Sequence, residues 1–146
     1  MNIRIMTIND YSQVYSLWLN TPNMGLNNLD DSKEGIAKYL ARNPNTCFVA
    51  EKDGRVIGAI LSGHDGRRGY IHHTAVEKSE QRHGVGAALL NAAMDALERE
   101  VINKAALVVF GDNKNGNAFW EKQGFAARAD LVYRNKAIAD LTRIDT

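Results

Sequence analysis

Residues able to do chemistry gather in a few places along the chain. Tyr70, His72 and His73 lie in GYIHHTAV (69–76), a run rich in β-branched and aromatic residues that reads as a strand. Strand alternation places Tyr70, His72 and Thr74 on one face and Ile71, His73 and Ala75 on the other. An imidazole titrates near neutrality, so His72 is a candidate proton acceptor. The plainer alternative is a strand histidine that only hydrogen-bonds, and His73, facing away, reads as structural. A second cluster follows at Gly84-Val85-Gly86-Ala87, where Leu89, Leu90, Ala93, Met94 and Leu97 continue at helical spacing. A glycine-rich helix entry leaves main-chain N–H groups unpartnered at the positive end of the helix dipole, and it lets phosphates approach closely. This turn therefore reads as a diphosphate cradle beside a strand.

The elements that must position these groups can be read in order. Asn2–Met6 alternates as a short strand. Thr7 with Asp10 three residues on resembles a capping box, before a helix carrying Tyr11, Val14, Tyr15 and Trp18 on one face. Asn20–Asp30 is a loop with the apolar residues Met24, Leu26 and Leu29, expected to pack on something, a substrate included. Asp31 or Ser32 caps a second helix that closes before Pro44. Thr46–Ala50 and Val56–Ser62 are strands joined by the hairpin signal Asp53-Gly54. A charged, glycine-rich turn, His64–Gly69, leads into the Tyr70 strand. Beyond the long helix, Ala105–Phe110 is nearly all apolar and fits a strand covered on both faces. Asn113–Gln123 is a short helix ended by Gly124. Phe125–Ala129 and Leu131–Leu141 read as a closing pair of strands. The order describes a mixed sheet with helices on both faces.

Composition narrows the function classes. The chain has 146 residues, with 18 basic against 17 acidic side chains for a net charge of +1, which argues against a nucleic-acid binder driven by bulk charge. Its length is that of a single domain, 1–146. No apolar run approaches a membrane span and the N-terminus lacks an export signal, so the expectation is a cytoplasmic protein with no membrane partner. The lone cysteine, Cys47, lies in an apolar run and reads as a buried thiol.

Two nucleotide motifs fail. A dinucleotide fold wants a third glycine where Leu89 stands, and no Gly-Lys-Ser/Thr follows for a P-loop. The wider pattern is more specific. Gln81-x-x-Gly84-x-Gly86-Ala87, entering a helix after a strand that ends Thr74-Ala75-Val76, resembles the acetyl-CoA-binding motif of the GNAT N-acetyltransferases. Asn113 to Phe125, NKNGNAFWEKQGF, resembles the family's second motif, N-x-x-A-x-x-F-Y-x-x-x-G-F. The element order matches over essentially the whole chain.

That resemblance implies an α/β (α+β) GNAT fold, a mixed, mostly antiparallel sheet of about seven strands flanked by about four helices. It implies that main-chain N–H groups from Arg82 or His83 through Val85, Gly86 and Ala87 hold the pyrophosphate of acetyl-CoA, with Gln81 where the family has Gln or Arg. Thr74, Ala75 and Val76 would pair with the pantetheine amides beside the thioester. The cofactor would enter where that strand splays from Ala105–Phe110. Asn113 would contact the pantetheine arm, with Gly116, Phe119 and Trp120 on the same helix; Gly116 replaces the usual alanine. The family's base, in several members, falls at positions matching Tyr70 and His72, and an N–H near Ala75 or Val76 would stabilise the oxyanion. The implied reaction is acetyl transfer to a primary amine, of a small molecule or of a protein or peptide, by direct attack in a ternary complex. No metal is expected, and a homodimer is compatible with the pattern.

One residue departs from the family. Trp120 stands at the usual tyrosine, and an indole N–H cannot supply a proton to a thiolate. Three alternatives follow: the thiolate leaves unassisted or takes a proton from water, Tyr70 or Tyr133 supplies the hydroxyl, or the protein is a catalytically silent acyl-CoA-binding module. The loop His64–Gly69 is a solvated turn, or it contacts an acidic acceptor or the cofactor's 3′-phosphate.

Overall fold

Five strands form one sheet in chain order in the computed structural model, which describes residues 1–145. β1 (Asn2–Ile5), β2 (Phe48–Lys52), β3 (Arg55–His64) and β4 (Gly69–Val76) pair antiparallel with their neighbours, and β5 (Ala105–Ala106) lies parallel to β4. The β2–β3 turn has φ of +52° at Asp53 and +74° at Gly54, as the Asp-Gly signal requires of a tight hairpin whose central residues are both left-handed.

Two apolar layers sandwich this sheet. α1 (Tyr11–Leu19) and α2 (Lys33–Arg42) put Val14, Leu17, Trp18, Ile36 and Leu40 against Val49, Ala59, Leu61 and Ala75 on one face. α3 (Val85–Arg99) puts Val85, Leu89, Leu90, Ala93 and Ala96 against Phe48, Ala50, Ile60 and Ile71 on the other. The capping signals hold: the Asp10 carboxylate accepts from Thr7 N–H at 2.9 Å, and Ser32 Oγ accepts from Gly35 N–H at 3.0 Å. Cys47 is buried in the α1–α2 layer, donates to the Ser62 carbonyl at 3.2 Å, and has its pKa pushed up to about 12 by burial. It is an inert core thiol.

The third of the chain after α3 departs from expectation. The strand expected at Ala105–Phe110 pairs only at Ala105 and Ala106; Val108 is 57% exposed and Phe110 turns to Gly25 in the α1–α2 loop. Phe125–Ala129 and Leu131–Leu141 are not strands, so the sheet has five strands rather than seven. The physical reason is that alternation makes a strand only where a sheet edge and a face to cover are both present. With β5 leaving β4 after two residues, no regular edge continues, and Leu131, Val132, Tyr133 and Ile138 stay exposed. The chain returns at Thr142–Asp145, which hydrogen-bonds to Gly25, Leu26 and Asn28. α4 (Lys114–Lys122) forms as expected, followed by Gly124 at φ +92°.

Candidate active site

β4 carries a bulge that strict alternation does not anticipate. Leu61 pairs with His72 while Ala59 pairs with Ala75, so three steps on β4 oppose two on β3. His73 sits in the extra step with φ of +41°, a conformation uncommon outside glycine. The bulge reverses the phase of the strand: Ala75 joins the α1–α2 layer and Val76 packs on the α3 layer. It also corrects the placement of His73, whose ring meets Trp18 of α1 at 5.0 Å and His72 at 6.1 Å. Tyr70, His72 and His73 therefore share one side. His72 lies 4.6 Å from the Tyr70 ring and 5.9 Å from Tyr39 of α2. Desolvation among these rings, with His73 second, lowers the His72 pKa to about 4. The imidazole is solvent-exposed at its open side and is neutral at pH 7. Burial, with Tyr133 adding to it, raises the Tyr70 pKa above its ordinary value, so that hydroxyl keeps its proton.

A pairing that sequence reasoning missed ties this wall together. His73 Nε2 lies 2.7 Å from Asp31 Oδ1, and Asp31 is buried. The other Asp31 oxygen accepts from Asn27 N–H at 2.8 Å, and its carbonyl accepts from the Tyr11 hydroxyl at 2.7 Å. Asp31 thus locks the α1–α2 loop to the bulge. The signal was present: with Ser32 capping α2, the adjacent Asp31 was free for another partner. Leu26 of that loop is fully buried and Met24 packs beside it on the core, while Leu29 stays exposed.

The glycine turn has the geometry of an anion site. Gly84 caps α3 at φ +81°, and nothing lies within 4 Å of where a Cβ would stand. The first helical bond runs from Ala88 N–H to Gly84 C=O at 3.0 Å. The amides of Val85, Gly86 and Ala87 precede it, as do Arg82, at φ +66°, and His83 in the preceding turn. Gln81 reaches back to donate to the Val76 carbonyl at 3.0 Å. On the β5 side, β4 is paired only at Gly69 and Tyr70, which leaves the edge from Ile71 through Thr74, Ala75 and Val76 without a strand neighbour. The Thr74 hydroxyl is buried with no partner among the described residues.

α4 closes the far side of this opening. A Cβ on Gly86 would sit 3.2 Å from the Phe119 ring, so glycine is needed there for the close approach of α4 to α3. The Asn113 carboxamide oxygen caps α4 by accepting from Gly116 N–H at 3.0 Å, and a Cβ on Gly116 would stand 2.4 Å from that side chain's nitrogen. Trp120 packs edge-on between Phe119 at 4.9 Å and Phe125 at 5.2 Å. Among the described residues no cluster of metal-ligating side chains occurs, and no helix is long and apolar enough to cross a membrane.

A family model described as the acetyltransferase (GNAT) family matches residues 11–125. The chain belongs to the GNAT family. Curated relatives match it nearly end to end: an acetyltransferase of Sodalis glossinidius is 27% identical over 140 residues, covering 96% of this chain and 97% of the relative. Among solved structures, Ard1 from Thermoplasma volcanium superposes with a TM-score of 0.78 at 24% identity, over 88% of this chain and 84% of that one. The PaiA N-acetyltransferase from Thermoplasma acidophilum, solved with coenzyme A, gives 0.76 at 19% identity over 87% and 90%. GNAT membership makes acetyl-CoA the co-substrate, and the open amides at Val85–Ala87 suit its pyrophosphate.

Proposed function

We propose that this protein transfers an acetyl group from acetyl-CoA to a primary amine by direct attack in a ternary complex. One observation carries the reading: the free edge of β4 at Thr74–Val76 ends beside the unpartnered amides of Val85–Ala87, with Val76 Cγ2 3.8 Å from where a Cβ on Gly86 would stand. A pantetheine arm adding to that edge as a strand would hang from a pyrophosphate gripped by the turn. Gln81, Arg82 and His83 border the phosphates, while Asn113, Gly116, Phe119 and Trp120 wall the arm from the α4 side.

The chemistry then falls to the wall of Tyr70 and His72. A free alkyl ammonium has a pKa of about 10 and no lone pair, so its first proton goes to solvent and the small fraction of free amine present at pH 7 is what attacks. Once that lone pair bonds to the thioester carbon, the nitrogen is far more acidic, and its second proton passes to a neutral imidazole. His72 is neutral at pH 7 and serves as that base, directly or through water. An N–H near Ala75 or Val76 faces the oxyanion. Collapse breaks the C–S bond and releases CoA as its thiolate, which takes its proton from water or from Tyr70, whose hydroxyl is still protonated. Cys47, the lone cysteine, is buried and inert, so it offers no acetyl-enzyme route.

Trp120 favours one second reading, a silent acyl-CoA-binding module, because the usual tyrosine is missing. Titration calorimetry with coenzyme A and thiol release from acetyl-CoA across small amines, amino acids and N-terminal peptides separate the two. Heat with release for at least one amine supports the transferase; heat without any release supports the silent module; no heat overturns both. The protein acts as a single cytoplasmic domain on a small-molecule or peptide amine, as a monomer or a homodimer, without nucleic acid or membrane.

A further inference from the structure

The turn between β3 and β4 is tied down more firmly than a solvated hairpin needs. Asp65 Oδ1 accepts from both Arg67 and Arg68 N–H, each at 2.8 Å. His64 Nδ1 accepts from Gly66 N–H at 2.9 Å, while its Nε2 lies 2.8 Å from Glu100 Oε1. The Asn43 carboxamide oxygen accepts from His64 N–H at 3.1 Å, joining the turn to the end of α2. This fixed turn forms one wall of a cavity of about 270 Å³, lined on its other sides by Tyr39 and Arg42 of α2 and by Tyr70 and His72 of β4. A slightly larger cavity, about 320 Å³, lies between the start of β2 and the end of α3 and touches none of the site residues.

Charge decides what the first cavity suits. Arg42 and Arg68 both line it, and neither pairs with a carboxylate among the described residues. The one acid in the lining, Asp65, has an oxygen already engaged by two amides. Two unpaired guanidiniums brought to one cavity from α2 and the β3–β4 turn, beside the rings of Tyr39, Tyr70 and His72, suit a planar anion. His72 belongs to this lining as well as to the wall beside the thioester position. An acceptor whose amine sits at His72 therefore extends its other end toward the arginines.

We propose that this cavity is a subsite for a carboxylate carried by the acceptor, so that the preferred substrates are amino acids or acidic peptides rather than neutral or cationic amines. The inference rests on the transferase reading of the same site. The test compares ω-amino acids from β-alanine to aminohexanoate with their primary amides, and amidated Ala-Asp with amidated Ala-Asn, in wild type, Arg42→Gln and Arg68→Gln. The expected result is a kcat/KM preference of about tenfold or more for the carboxylate of at least one pair, collapsing toward unity in both variants, with coenzyme A affinity unchanged. The first series answering marks a free amino acid; the second marks a peptide. Equal use of carboxylate and amide throughout overturns the subsite. So does weakened coenzyme A binding in either variant, which would give the arginines to the cofactor. If no amine is acetylated, the transferase reading fails by itself, and arginine side-chain NMR with glutarate decides the subsite. Shifts at Arg42 and Arg68 that vanish on substitution support it, and no shift in wild type overturns it.

Discussion

The chain up to Leu97 and the chain beyond it are built on different terms. Every buried residue lies in the first part, where two apolar layers clamp β1 to β4; none of the described residues from Glu98 onward is buried. The first part holds the wall of Tyr70, His72 and His73 and the glycine turn. The second contributes α4 and the exposed segment around Tyr133, positioned by caps, aromatic edges and the tail's bonds to the α1–α2 loop. Parts that must hold a base and an oxyanion donor in register sit on packed strands, where side chains have few alternatives. The second part, with little apolar surface to fix it, is the part expected to open locally at the lower free-energy cost.

The sharpest way to break this contrast is by stability. Leu89 is fully buried at the centre of the α3 layer, against Gly58 of β3. Leu89→Ala should cost about 3 kcal/mol in urea unfolding, by lost transfer and the cavity left behind. Val132→Ala, at a residue 74% exposed, should stay within about 0.5 kcal/mol. Comparable losses would show that the second part has a core of its own. Next comes the turn. A carboxylate introduced by Gly84→Glu meets open space, so the fold tolerates it apart from the cost of the left-handed φ. It should lower coenzyme A affinity about 100-fold by like-charge repulsion and lost approach; calorimetry showing unchanged affinity would remove the turn from the cofactor site.

Legibility in the sequence follows another division, between local and tertiary demands. The Asp-Gly hairpin, the Ser32 cap and the glycine entry to α3 are local demands of the backbone, satisfied by a few adjacent residues, and so they show in the letters. The bulge at His73 does not, because it is set by how β4 registers on β3, a tertiary choice that leaves no short-range mark. Strict alternation therefore put His73 on the wrong face and hid its pairing with Asp31. The opposite error occurred at 125–141, where an alternating pattern was legible but the segment pairs with no strand of the sheet. The fold and the local geometry of the glycine turn could be read; the surroundings of His72, built from a bulge, a loop and a cavity between elements, could not.

His72 tests how far the packed wall governs the chemistry. His72→Gln should lower kcat on the order of 10-fold to 100-fold, toward the small end for a general base because its basicity is low, with coenzyme A affinity intact. The pH profile adds a sign. With a folded pKa of about 4, below the ordinary 6.5, the imidazole stays neutral on acidification until well below pH 5, so the limb it contributes to kcat lies near pH 4. The same depression means that, between 6.5 and 4, the unfolded chain takes up a proton that the folded chain refuses, and stability declines over that window. A limb near 6.5 that disappears in the glutamine variant would show that solvent governs this ring after all.

The smallest effect is expected where the less buried part meets the departing thiolate. Trp120 is held by the edges of Phe119 and Phe125 and contributes to the α3 layer from outside. A tyrosine ring fits the same slot with some loss of contact and adds the hydroxyl that the family usually carries. A thiol with a pKa of about 8.5 leaves readily as its anion, so that proton is not what limits breakdown of the tetrahedral intermediate. Trp120→Tyr should therefore change kcat by less than about threefold, since an added general acid accelerates only a step whose leaving group needs one. A gain above about tenfold would show that thiolate protonation is rate-limiting in the native protein. Tyr70 would then be too far from the sulfur to supply the proton, and a position in the part without buried residues would govern the rate set up by the packed one.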